Sequence, residues 1–237
     1  VANVTDAVVK EYFESLGYLV FQPHKHAMAA RSGTGDEAVD LVVTNPSVAE
    51  HRLPADFVWD TADLRTVRSA VVGVVGWHTD RIYAANIENT PEILRFVQPP
   101  ALRFSSRVLG SEVFAKVLCL PALPASGELK QKTIGFLRSG GIDGVIPFRA
   151  MLLELVRRVE TNRNYEKSDL LQVIRLMKNY DLVNVGQMDL FDKKRTAPAG
   201  KQQKARRAKA PEPSLVPPPT EDAPPAQADG LEKTAGQ

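Results

Sequence analysis

Cysteine is nearly absent: Cys119 is the only one in 237 residues. One thiol excludes a disulfide framework and any zinc or iron–sulfur centre built from several cysteines. Long apolar runs are missing too, since no stretch approaches the roughly 18 uninterrupted apolar residues of a membrane-spanning helix. No membrane partner is expected. Aromatic residues stop at Phe191, so nothing beyond that point can seed a core or stack on a base. The opening VANVTDAVVKEYFESLGYLV carries acids inside an amphipathic pattern, unlike a secretory leader. The expected location is cytoplasmic, compatible with nucleoid association. What is present suffices for a core: 43% of the residues are hydrophobic, and the length fits one to two domains.

The formal net charge of +2 conceals three different segments. Residues 1–192 carry 21 basic and 23 acidic side chains. Residues 193–209, KKRTAPAGKQQKARRAK, carry eight basic and no acidic ones. Residues 210–237 carry five acids and one base. The last 45 residues also hold eight of the 17 prolines. Such a polar mixture of Lys, Ala, Pro and Gln buries too little apolar surface to offset its ordering entropy, so 193–237 is expected to be disordered.

Ahead of that tail the chain reads as alternating helices and strands. TDAVVKEYFESLG has a helical apolar face, with Thr5 or Asp6 as its cap and Gly17 as its stop. YLVFQP and VDLVVTNP read as strands, with a polar segment from His24 to Asp36 between them. Residues 47–66 are irregular. SAVVGVVGW is a nearly continuous apolar run suited to burial on both faces, and its glycines mark close approach or weakening. ENTPEILRFVQPP predicts a short helix capped by Thr90, with Pro91 at its first position, and 101–110 is helical. AKVLCLPALP is a buried strand, ELKQKTIGFLRSGG a helix ending in glycine, and IDGVIPF a short strand. FRAMLLELVRRVET and SDLLQVIRLMKNYDL are two closing helices, the second capped by Ser168. The order predicts an α/β fold: a mixed central sheet with flanking helices, in which the first three strands form a meander and later crossovers favour parallel pairing. The expected divisions are a core over 1–148, a helical extension over 149–186, a peptide over 187–192 and the tail over 193–237.

A helix ending in LGY, a strand, a strand opened by VDLVV and a third strand ending in GW together resemble the restriction-endonuclease-like, PD-(D/E)xK nuclease superfamily over about residues 4–148. The resemblance implies an acid opening the second strand, an acidic-x-Lys triplet on the third and an assisting Glu on the first helix. Two carboxylates would then hold Mg²⁺ while the lysine positions the attacking water. Asp40 stands at the first acid, which makes it the candidate catalytic and metal-binding residue, and Glu11 or Glu14 is the helix contributor. The triplet falls on Gly73, Val74 and Val75, where Gly73 replaces the acid and Val75 the lysine. Neither residue can coordinate a metal or move a proton. Lys25 and Glu37 are the nearby groups that migration could recruit. Otherwise the site is degenerate, with no cofactor, and Asp40 is a strand-edge carboxylate held by amides or a basic partner.

Other chemistry-bearing residues are weaker candidates. His24, His26 and His78 lack the converging spacing of a zinc site. Trp59 and Trp77 can stack on a base or simply pack. Cys119 lies in an apolar strand, as an inert core residue does. Arg157, Arg158, Arg175 and Lys178 can touch phosphates or form an ordinary solvated face with Glu154, Glu160 and Glu166.

QMDLF at 187–191 resembles the bacterial sliding-clamp-binding pentapeptide. Leu190 and Phe191 supply adjacent apolar anchors, Gln187 supplies directional amide bonds, and Met188 stands conservatively for leucine. The other reading is that Leu190 and Phe191 pack back onto the domain. The basic strip that follows, Lys193, Lys194, Arg195, Lys201, Lys204, Arg206, Arg207 and Lys209, can neutralise phosphates of DNA or another polyanion in a salt-sensitive way. The sequence therefore predicts a DNA-associated, non-catalytic nuclease-fold protein of replication or repair, recruited by the clamp. The alternatives are an active Mg²⁺-dependent DNA endonuclease and a protein-interaction module with a solubilising tail. No oligomeric interface is readable.

Overall fold

A computed structural model describes residues 4–23, 38–78 and 81–183. The chain divides into two units, Val1–Thr196 and Ala197–Gln237, and everything described lies in the first. Five strands form one sheet in the order β1 (Leu19–Phe21), β2 (Leu41–Thr44), β3 (Ser69–Val74), β4 (Ala115–Leu120) and β5 (Gly144–Pro147). The first two pairings are antiparallel, with Leu19 opposite Thr44 and Leu41 opposite Val72. The last two are parallel, with Ala70 opposite Ala115 and Val117 opposite Gly144. Parallel neighbours need long crossovers, and the helices between β3, β4 and β5 supply them. The expected mixed α/β sheet with flanking helices is present.

Side chains alternate across the sheet and divide the core in two. On one face, Leu41, Val43, Ala70, Val72, Val117 and Cys119 pack beneath α1 (Val4–Ser15), α5 (Phe148–Arg158) and α6 (Asp169–Asn179). On the other, Val42, Val71, Leu118 and Val145 pack beneath a 3-10 helix (Pro91–Val97), α3 (Pro99–Leu109) and α4 (Gly127–Ser139). A short α2 (Ala84–Asn89) precedes the 3-10 helix. β3 and β4 lie at the centre because their apolar residues are buried on both faces. The segment read as irregular covers the free edge of β5. Trp59 N–H donates to the Val145 carbonyl at 2.8 Å, and Val145 N–H donates to that of Phe57 at 2.8 Å. This protects the edge from pairing with another chain.

Helix ends follow local chemistry, with two departures from expectation. Gly17 takes φ +87, and Tyr18 N–H reaches back to the Phe13 carbonyl at 3.1 Å. Gly141 and Ile142 close α4 in the same way. Ser168 caps α6 by accepting from Leu171 N–H. Thr5 and Asp6, expected as caps, lie inside α1. The Thr5 hydroxyl is instead bonded to His78 Nε2 at 3.0 Å. Thr90 makes no side-chain cap bond. It is the hinge between α2 and the 3-10 helix, its N–H spent on the Ile87 carbonyl.

Candidate functional site

Asp40 stands one residue before β2, beyond the last ladder pair of Leu41 and Val72. Its Oδ2 accepts the Val74 backbone N–H at 2.7 Å. A charge-assisted bond of this length satisfies a strand amide that β2 no longer reaches. Asp143 repeats the device at the other end of the sheet, where its Oδ2 accepts Lys116 N–H at 2.7 Å. Asp40, Val74 to Trp77 and the 3-10 helix line a cleft of about 190 Å³. That is below the roughly 300 Å³ at which small-molecule pockets begin. Glu92 and Arg95 of the 3-10 helix stand on its other side.

Gly73, where the resemblance asks for an acid, faces the ring of Phe96. A Cβ added there would lie 2.4 Å from a ring carbon of Phe96. The helix approaches the strand so closely that hydrogen alone fits, and no carboxylate can occupy this face without displacing the ring. Val75, in the lysine position, is 5% exposed and part of the apolar core. An ammonium there would meet hydrocarbon rather than a phosphate oxygen. Among the described residues no three His, Cys, Asp or Glu side chains group to hold a metal ion.

Glu11 and Glu14 are not brought to Asp40. They line a separate cleft of about 600 Å³ between α1 and α5, with Arg157, Arg158 and Arg163 on its other wall. Helix α1 covers the Leu41 face of the sheet, whereas the Asp40 cleft opens beside Phe96 and Ile93 of the opposite face. Lys25, Glu37, His24 and His26 lie outside the described residues.

The weaker candidates are mostly engaged in structure. His78 is held by Thr5 and packs edge-on against Phe148, ring centres 4.6 Å apart. Trp59 is buried over Gly144, where a Cβ would meet its indole at 2.1 Å, and its Nε1 donates to the Asp56 carbonyl at 2.8 Å. Trp77 remains 45% exposed. Cys119 is wholly buried. Burial, and then the nearby Asp40 charge, push its thiol pKa up, so it is no nucleophile. Arg158 bonds Glu154 at 2.6 Å and the Ser15 carbonyl at 2.9 Å. Arg175 donates to the Thr161 carbonyl, and Lys178 Nζ to the Val156 and Val159 carbonyls at the end of α5. Lys178 thus binds the end of α5 and Arg175 the loop that follows it, rather than standing free for phosphates.

QMDLF and the eight basic residues from Lys193 to Lys209 also lie outside the described residues. Phe96, Glu92 and Arg95 were missed as neighbours of Asp40. PEILRFV reads as a helix from its proline and its apolar spacing, but nothing in the sequence says which strand it lies against. No helix among the described residues is long and apolar enough to cross a membrane. Comparison with protein-family models, curated proteins and solved structures finds no match.

Proposed function

We infer that the protein associates with DNA without cutting it, combining a catalytically degraded, restriction-endonuclease-like domain with a clamp-binding peptide and a basic tail in replication or repair. The closeness of Phe96 to Gly73 carries the non-catalytic part. An aromatic ring fills the place of the second metal-binding carboxylate, and two-metal or one-metal hydrolysis needs that charge. The order helix, strand, strand, strand, followed by a parallel crossover, supports the family resemblance at the level of topology. Asp40, bonded to Val74 N–H, then keeps a structural task of the ancestral acid after its chemistry has gone.

The DNA-binding part rests on the eight basic residues of 193–209. Their attraction is electrostatic, independent of sequence and weakened by salt. The clamp part rests on QMDLF at 187–191, whose Leu190 and Phe191 suit a preformed apolar pocket. The test has two arms. Immobilised bacterial clamp is expected to capture the full chain and to lose it on Leu190→Ala with Phe191→Ala. Supercoiled and linear DNA are expected to stay intact with Mg²⁺ or Mn²⁺. Cleavage abolished by Asp40→Ala would replace this reading with an active endonuclease. No capture of the full chain would remove the clamp as a partner, and capture unchanged by the double substitution would remove QMDLF as the peptide that binds it.

A further inference from the structure

We propose that the cleft between α3 and the start of β4 binds a nucleotide-class phosphate ester, either a free mononucleotide or the 5′-phosphorylated end of a DNA strand. The cleft measures about 490 Å³, within the roughly 300–1,000 Å³ of small-molecule sites. Arg103 and Arg107 stand on its α3 wall, one turn apart and therefore neighbours on the helix surface. Among the described residues neither guanidinium has a carboxylate partner, whereas Arg52 and Arg158 do. Arg107 also complements the negative end of α3, but Arg103, a turn earlier, does not. Two unpaired forks on one wall match the oxygens of a phosphate monoester.

The remaining lining selects among anions. Leu102 and Phe114 form an apolar floor, each half-buried against the core, on which a flat ring can lie. Lys116 closes the far side, its Nζ held 3.1 Å from Asp143 Oδ2, so its charge is largely balanced. Among the described residues Glu112 is the one carboxylate lining the cleft. It repels a bare phosphate but accepts from a sugar hydroxyl or an exocyclic amine. Cations, a ring platform and one acceptor together describe a nucleotide better than an inorganic anion. The site shares no residue with the Asp40 cleft. Binding of a free nucleotide is independent of the DNA reading above, while capture of a strand end rests on it.

The experiment titrates the full chain with AMP, with inorganic phosphate, and with one single-stranded oligonucleotide carrying either a 5′-phosphate or a 5′-hydroxyl. It is repeated on Arg103→Gln/Arg107→Gln, on Arg103→Lys/Arg107→Lys, and on a full-length chain whose eight basic residues at 193–209 are Gln. Either AMP is preferred over inorganic phosphate, or the 5′-phosphate strand over the 5′-hydroxyl strand. The affinity for AMP, or the strand's preference for a 5′-phosphate, is expected to fall roughly tenfold or more with glutamine and less with lysine, at unchanged Tm, and to survive the neutral tail. No preference in either pair, an AMP affinity or 5′-phosphate preference that the glutamine variant keeps, or one that disappears with the tail charge would each overturn the proposal. A DNA reading that failed alone would show as lost oligonucleotide binding with AMP binding intact.

Discussion

A single hydrogen at Gly73 sets how the 3-10 helix sits on the sheet. With a Cβ 2.4 Å from Phe96, Gly73→Ala must push the ring or the helix outward. Overpacking of this kind costs about 1–3 kcal/mol, to be read as a lower urea midpoint at constant m-value. A glycine inside an apolar strand already signals close approach, so this much is legible in SAVVGVVGW. The approaching group is not, because Phe96 comes from a helix 23 residues on and only the fold brings it there. A second residue-scale prediction concerns His51. Its Nδ1 accepts the Arg68 backbone N–H at 3.2 Å, which requires the unprotonated ring. Burial lowers its pKa below the ordinary value of 6.5, against a smaller raising effect of Asp143. The unfolded chain therefore takes up the proton first. Stability from this group is complete above about pH 6.5 and is lost as pH falls from there through the lowered folded value. Thermal melts are expected to show a shallower acid-side decline in His51→Gln than in the natural chain. Equal slopes would assign the decline to other groups.

At the scale of elements, end chemistry decides more than propensity does. α6 closes with Asp181 at φ 55, the one non-glycine residue with positive φ among the described residues. Leu182 N–H returns to the Met177 carbonyl at 2.8 Å, as in the glycine-closed ends of α1 and α4. A carboxylate there meets both the left-handed penalty and the negative helix end. Asp181→Gly is expected to stabilise by about 0.5–1 kcal/mol, measured as a rise in urea midpoint. A fall would mean that Asp181 makes a compensating contact. The glycine stops at Gly17 and Gly141 and the cap at Ser168 were readable because each is a local contract between one side chain and nearby amides. Thr5 and Thr90 were misread. The partner of Thr5, His78, reaches it only through packing between elements, while Thr90 closes α2 with its own N–H on the Ile87 carbonyl and so is spent on the preceding helix. Helix α2, AANIEN, escaped notice because its buried residues are only Ala84 and Ile87, too few to print a period.

For the whole molecule, the sheet was the most legible feature. Continuous apolar runs mark β3 and β4 as central, and the spacing between strands separates the early meander from the later parallel crossovers. The candidate site was legible only in part. Asp40 was singled out through the family resemblance by its place at the opening of a strand, and Gly73 and Val75 as the residues standing where that family has an acid and a lysine. That Glu11 and Asp40 line different clefts needed coordinates. So did the α3 cleft, since Arg103 and Arg107 look like any solvated pair until Phe114 and Lys116 are set beside them. The charge arrangement belongs to this scale as well. On the proposed reading, a near-neutral stretch over residues 1–192 followed by eight basic residues puts sequence-independent DNA affinity in the tail rather than in the sheet. The most direct check is a salt titration of duplex DNA binding with Mg²⁺ present, comparing the full chain with the version whose eight tail bases are glutamine. The account predicts intact DNA and affinity falling steeply with salt, with a log–log slope approaching about −7 if all eight charges engage, and most of both lost in the neutral-tail chain. Cut DNA, or an affinity that neither salt nor the glutamines reduce, would contradict it.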